Sequence, residues 1–261
     1  MKLKTITKKL DNFPKEFHQL LKDAKIYDSS SSPEAKVYYI DKDCGYFLKE
    51  SQKNSLQTEA TLTKYFHSKG LATNVLEYLS LEKDWMLSEK VVGNDCTEKI
   101  YLDNPKRLCD TIAELLRTLH EIDFSDCPIQ NRIDNYIRAV EKNYHLGTFD
   151  KLSFPDSFGY KSAKEAWSVV EKHKHLLKSD TLLHGDYCLP NIILDNWNFS
   201  KFIDLGNGGV GDRHIDIFWG IWTLYFNLKT NEFAPRFIDA YGRDKIETEM
   251  LKVIAAFEVF G

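Results

Sequence analysis

No two cysteines of this 261-residue chain are spaced C-x-x-C, and the five present, Cys44, Cys96, Cys109, Cys127 and Cys188, are odd in number. That argues against a disulfide framework and leaves buried or inert thiols as the expectation. Long apolar runs are missing too. The longest, Ile217–Phe226 (IFWGIWTLYF), is about half of a membrane span and fits a buried helix. The start, MKLKTITKKL, is basic but lacks the apolar core, about 7–15 residues long, of a secretory signal, so it reads as a short strand or helix of folded sequence. A formal charge of −4 offers no basic excess to nucleic acid. No internal repeat or disordered linker is evident. These absences leave a cytoplasmic globular protein, with no nucleic acid, membrane or obligate protein partner expected.

The composition present, 28% charged and 43% hydrophobic, is that of an ordinary globular chain long enough for one bilobal unit or two small domains. Residues 36–50, KVYYIDKDCGYFLKE, alternate apolar and polar positions about a turn at Asp43-Cys44-Gly45 and predict a hairpin with Lys49 on its second strand. Leu56, Glu59, Leu62 and Phe66 recur at helical spacing up to Gly70, and strands are predicted at 75–81 and 85–87. A small mixed lobe therefore closes near residue 90. Helical periodicity dominates from 105, first in PKRLCDTIAELLRTLHEID, whose Leu108, Ile112, Leu115 and Leu119 form one stripe. Further helices are expected at 131–145, 161–178, 213–227, 232–241 and 243–259.

The chemistry concentrates in Leu183–Asp216. Asp186 follows His-Gly, Asn191 stands five residues on, and Asp204 opens Asp-Leu-Gly thirteen residues after that. Short apolar runs at 182–183, 192–194 and 202–203 place these polar residues on loops between small strands. Phosphoryl transfer from a nucleotide needs a carboxylate at the acceptor hydroxyl and oxygen ligands that hold Mg²⁺ on the phosphates. Those residue types occur here at kinase-like spacing. A structural Asp capping a turn explains H-G-D alone, but not the whole constellation.

Lys49 read alone is a solvated strand lysine. With Glu59 on the next helix it can instead form the pair that holds an ammonium toward nucleotide phosphates. Phe47, on the same strand face, serves either as a base-stacking ring or as core. The polar run Asp28–Pro33 is a plain loop or a set of backbone donors over phosphates. His184, Asp186, His214, Asp216 and Asp204 also compose a metallohydrolase-type donor set, although such an enzyme needs neither Lys49 with Glu59 nor Asn191. In the kinase reading His184 fixes the loop and Asp216 caps or braces the next helix.

These residues resemble the aminoglycoside 3′-phosphotransferases over nearly the whole chain. The resemblance also rests on A-K-V-Y at 35–38, L-H-x-I-D-x-S-D-C-P at 119–128, G-D-R-H-x-D at 211–216 and the ending Phe257-Glu258-Val259-Phe260. It implies an α+β, two-lobed protein-kinase-like fold: a small, mainly antiparallel β lobe at 1–90 that binds nucleotide, and a larger helical lobe at 91–261 for catalysis and acceptor binding. It further implies that Asp186 orients the acceptor hydroxyl and that Asn191 and Asp204 ligate Mg²⁺. Lys49, held by Glu59, would contact the phosphates of ATP, with GTP open as an alternative. Phe47 would stack on adenine, the backbone of Ser88 and Lys90 would meet the adenine edge, and Ser32 would lie in the phosphate-covering loop.

The acceptor side departs from the family. Asn207 stands where relatives carry Arg after Asp-Leu-Gly, and Trp222, Phe226 and Asn227 replace charged or polar positions. The 146–160 loop has Asp150 and Asp156 alone for an acidic cluster, and Phe257 precedes Glu258. With Asp186, the residues Asn207, Trp222 and Glu258 are the expected acceptor contacts. The implied reaction is Mg²⁺- and ATP-dependent phosphorylation of an aminoglycoside hydroxyl, the 3′-hydroxyl of a compound such as kanamycin or neomycin, giving resistance. The alternatives are a kinase of another small hydroxylated metabolite or antibiotic, and a non-catalytic nucleotide-binding pseudokinase.

Overall fold

Period-2 patterning through residue 89 and helical periodicity after 98 build two compact units in the computed structural model, which describes residues 4–5, 10–31, 33–150 and 158–261. The first unit is Met1–Val92 with Ser200–Gly206; the second is Gly93–Phe199 with Asn207–Gly261. A contiguous division near residue 90 does not anticipate the transfer of 200–206. The cause is local pairing: Phe202 bridges Ala72 in parallel, Phe202 N–H donates to Leu71 O at 2.8 Å, and Lys201 Nζ donates to Gly70 O at 2.6 Å.

The first unit is built on an antiparallel sheet of six strands: β1 (Lys4–Thr5), β2 (Lys25–Asp28), β3 (Ala35–Asp41), β4 (Tyr46–Gln52), β5 (Val75–Ser80) and β6 (Lys83–Glu89). They are ordered β1-β2-β3-β4-β6-β5. Alternation along β4 sends Leu48 into a core with Phe13, Phe17, Ile40, Trp85 and Leu87, under the short helix α1 (His18–Leu21). The opposite β4 positions, Phe47 and Lys49, share a face with Met86, the register partner of Lys49. Met86 packs with Val75 and with Leu56 and Ala60 at the start of α2 (Gln57–Ser68). Fully buried Asp84 fixes that helix start by accepting from Leu56 N–H at 3.0 Å, and also from Ser80 and Tyr78. This is why Glu59, in the first turn of α2, comes to the Lys49 face.

In the second unit β7 (Asn94–Asp95) pairs with β9 (Ile192–Asp195), and β8 (Thr181–Leu183) with β11 (Gly209–Gly211). The Asn196-Trp197 turn, left-handed at both residues, leads from β9 into β10 (Asn198–Phe202). The helices are α3 (Lys99–Leu102), α4 (Pro105–His120), α5 (Arg132–Leu146), α6 (Ala163–His173), α7 (His214–Leu228), α8 (Ala234–Tyr241) and α9 (Thr248–Glu258). Val140, Val170, Ile215, Ile254 and Phe257 are among the side chains of one buried cluster from α5, α6, α7 and α9. The apolar stripe of α4 differs by one position from expectation. Leu116 is buried with Leu108, Ile112 and Leu119, whereas Leu115 is half-exposed, because the 100° step carries the buried face through 109, 113 and 116. Among the described residues no helix is long and apolar enough to cross a membrane, and all five cysteines are free thiols.

Candidate active site

In the first unit Lys49 Nζ lies 2.7 Å from Glu59 Oε2 and 2.9 Å from Asp204 Oδ1. The lysine and Glu59 side chains are 17% and 8% exposed; that of Asp204 is 49% exposed. Burial works to lower the Lys49 pKa, but Glu59 and then Asp204 outweigh it and hold the ammonium above its ordinary value. Burial also raises the Glu59 carboxyl; Lys49 pulls it down and Asp204 pushes it up again, with a net rise. The Asp204 backbone is left-handed at φ 60°, a conformation Asp tolerates better than most residues.

Phe47 is half-buried and lies outside the sheet core. Its ring meets Tyr39 at 5.3 Å on the Lys49 face, so it remains available to a flat ligand. Ser88 is buried in register with Phe47. The Lys90 N–H already donates to Gly45 O at 3.0 Å, so its carbonyl is what Lys90 has left for an adenine edge. Ser32 lies outside the described residues. Ahead of it Ser30 folds back on the sheet, accepting from Val37 N–H at 3.0 Å.

In the second unit Asp186 sits on a turn held by hydrogen bonds from its own backbone donors. His184 N–H and Gly185 N–H donate to the two oxygens of Asp216 at 2.7 and 2.8 Å. Asp186 N–H donates to His184 Nδ1 at 3.3 Å, and Leu189 N–H to Thr223 Oγ1 at 3.1 Å. The Asn191 amide nitrogen donates to the Asp186 carbonyl at 3.0 Å and to its Oδ2 at 2.9 Å. The carboxylate is thereby aimed from its own loop. Asp216 was expected to cap or brace α7, and the helix start has no side-chain cap. Asp216 turns from the first helical turn onto the loop, because buried N–H groups left unpaired cost more than a helix terminus gains.

His120, at the end of α4, was not expected to take part. It supports Asp216 through Nε2 at 3.2 Å, while Nδ1 is 2.9 Å from the Tyr241 hydroxyl. Burial lowers the His120 pKa, and a carboxylate can only accept, so the neutral ring donates from Nε2 and accepts from Tyr241. The one sequence signal for it was the Leu119-His120 pair within the 119–128 run.

The acceptor candidates differ in setting. Asn207 is exposed, and its carbonyl accepts from Arg132 Nε. Glu258 is buried, its Oε1 accepting from the Tyr136 hydroxyl at 2.6 Å; Trp219 also binds it. Trp222 is half-buried with its indole N–H unpartnered among the described residues. It stacks on Phe226 at 5.0 Å and 12°. Phe226 is 51% exposed, so it is not helix core. Asp150 is half-buried, and Asp156 lies outside the described residues.

Each expected Mg²⁺ ligand, taken by itself, fits a hard cation. With its nitrogen held by Asp186, Asn191 offers its amide oxygen, and Asp204 keeps an oxygen beyond the one on Lys49. The metallohydrolase set does not assemble: among the described residues no three His, Cys, Asp or Glu side chains are grouped to hold an ion. His214 has both ring nitrogens in use, Nδ1 with Asp212 at 2.6 Å and Nε2 accepting from Glu247 N–H at 3.0 Å.

Residues 30–252 match the phosphotransferase enzyme family. A protein of Lactococcus lactis named "Probable aminoglycoside 3′-phosphotransferase" is 51% identical over 99% of both chains. The aminoglycoside 3′-phosphotransferase of Niallia circulans is 27% identical over 68% of this chain and 67% of its own. The crystal structure of a type VIII aminoglycoside-3′-phosphotransferase superposes with a TM-score of 0.72 at 21% identity, covering 96% of each chain. An aminoglycoside phosphotransferase of Streptomyces rimosus, in complex with ADP and streptomycin, gives 0.69 at 18% identity, covering 87% of this chain and 91% of that one. The architecture is α+β and kinase-like, an antiparallel first unit followed by a helical second.

Proposed function

The chain belongs to the phosphotransferase enzyme family, and from that premise we propose that it transfers the γ-phosphoryl group of ATP to the 3′-hydroxyl of an aminoglycoside. The protein acts in the cytoplasm and confers resistance. The acceptor oxygen attacks the γ-phosphorus, the bond to the β–γ bridging oxygen breaks, and ADP leaves with that electron pair. Asp186, held by Asn191 through two hydrogen bonds, orients the hydroxyl and receives its proton. Lys49 neutralises phosphate charge, and Glu59 keeps its ammonium in place. Phe47 stacks on the adenine. Asn191 and Asp204 would hold Mg²⁺, which when bound neutralises charge on the phosphates.

The observation that carries this reading is the half-buried lysine held by two carboxylates, an arrangement suited to polyanion binding that no hydrolytic alternative needs. ADP release measured across kanamycin, neomycin and related compounds tests it. Turnover above the ATPase background is expected with at least one, and its absence throughout refutes the acceptor assignment. Asp186→Ala is expected to abolish turnover with nucleotide binding retained. Loss of ATP binding would contradict the role given to Asp186.

A second reading, a kinase for a less cationic hydroxylated acceptor, is favoured by the Trp222–Phe226 stack standing on α7 with Phe226 exposed. Stacked indole and phenyl faces suit a sugar ring better than a cluster of ammonium groups needing facing carboxylates.

A further inference from the structure

Taking Asp186 as the residue that meets the acceptor hydroxyl, we propose that Arg132 is a positioning residue for Asp186, acting through the Asn207 carbonyl on the Gly185 backbone. Arg132 opens α5 and donates from Nε to Asn207 O. That same carbonyl presses on Gly185, the residue before Asp186. A Cβ built on Gly185 would stand 1.8 Å from Asn207 O, 2.1 Å from its carbonyl carbon and 2.6 Å from Gly208 N. Gly185 therefore lies flat on the 207–208 peptide, in a left-handed conformation of φ 86° that favours glycine. Its other side is fixed, since its N–H donates to Asp216 at 2.8 Å. Asp216 thus holds Gly185 on one side, and the 207–208 peptide that Arg132 engages bears on it from the other.

Neighbouring contacts follow the same line. Val210 N–H donates to Ile129 O at 2.8 Å, and a Cβ on Gly209 would meet Ile129 Cγ2 at 2.7 Å. A Cβ on Gly211 would lie 3.5 Å from Arg132 Cγ. Since Gly209–Gly211 pair with Thr181–Leu183, residues 129–132 press the 207–211 segment onto the strand that delivers Asp186. The hydrogen bond goes to the backbone of residue 207, so the identity of the Asn207 side chain does not decide it. The guanidinium also sits 4.8 Å over the Tyr136 ring, and Tyr136 in turn donates to Glu258. Arginine suits this place because its planar fork can stack on a ring while donating a charge-assisted bond from its edge.

Two substitutions separate this role from packing. Arg132→Met keeps an unbranched stem over Tyr136 and loses the donor; Arg132→Lys keeps charge and a donor. With ATP and kanamycin, Arg132→Met is expected to lower kcat ~10–100-fold while the KM for ATP stays within about twofold. The His184 and Gly185 amides, both bonded to Asp216, are expected to exchange hydrogen roughly tenfold faster in that variant, with Arg132→Lys staying close to the parent in both measurements. A parental kcat and exchange rate in Arg132→Met, or equal damage in Met and Lys variants, overturns the inference. If the parent phosphorylates no aminoglycoside, the proposed acceptor fails, and the exchange measurement still decides for or against Arg132.

Discussion

Replacing Glu258 by glutamine tests the electrostatics of the acceptor side. Glu258 is 8% exposed and accepts from Tyr136 at 2.6 Å. Burial pushes its carboxyl from the ordinary 4.5 up to about 7, against the opposing pull of Tyr136, Arg132 and Trp219. Above pH 4.5 the unfolded chain loses a proton that the folded chain still holds, so stability falls as pH rises, until the folded carboxyl ionises too near 7. At ~1.36 kcal/mol per pKa unit, the loss comes to roughly 3 kcal/mol. Glutamine keeps the shape and an oxygen for Tyr136 but never ionises.

Urea unfolding followed by tryptophan fluorescence from about pH 4.5 to about pH 8 should therefore show Glu258→Gln gaining on the parent by about 3 kcal/mol, or roughly 6–12 °C in Tm. Over the same span the parent's affinity for kanamycin should rise as Glu258 ionises, and the variant's should not. Stability curves that stay parallel would mean that Tyr136, Trp219 and Arg132 solvate the carboxylate as well as water does, which would refute the reasoning.

Glu59→Gln removes the charge that does most to hold the Lys49 ammonium, so the KM for ATP should rise about tenfold with a smaller change in kcat; an unchanged KM would count against the pairing. Asp216→Asn leaves one accepting oxygen for the three donors His184 N, Gly185 N and His120 Nε2. It should cost about 3 kcal/mol of stability and ~10²-fold in kcat, read from Tm and steady-state rates, and a variant with parental values would show the loop to be held by other contacts.

The features legible in the sequence are those whose partners are close in the chain. Alternation over 36–50 specifies a hairpin because each β residue's face depends on its immediate neighbours. The spacing of Asp186 and Asn191 specifies their contact because five residues close one tight turn. Lys49 and Glu59 are ten residues apart, across a strand and the first turn of a helix, and they pair as that order implies. The supports of the Asp186 loop are another matter. His120 reaches Asp216 across 96 residues, Arg132 reaches Asn207 across 75, and Tyr136 reaches Glu258 across 122. No local period or spacing encodes such pairs; they exist once helices have packed.

Helix α7 shows why the acceptor side resists sequence reading. Apolar on nearly all sides, it carries no stripe to say which face turns inward. Its polar residues go in: Asp216 is fully buried and Thr223 is 1% exposed, while the aromatic Phe226 is half-exposed. The inversion has a physical cause. The 184–189 loop, bent to present Asp186, carries backbone N–H groups with no strand or helix to receive them, and buried donors require acceptors. Asp216 and Thr223 meet that demand. With those positions turned inward, the 100° step of the helix points Trp222 and Phe226 along another face, where they stack on each other. The geometry that fixes Asp186 thus also places an aromatic face on the same helix. That face gives the second reading its test: an acceptor KM that changes little between low and high salt would mark ring stacking, whereas ion pairing with an ionised Glu258 predicts a KM that rises with salt.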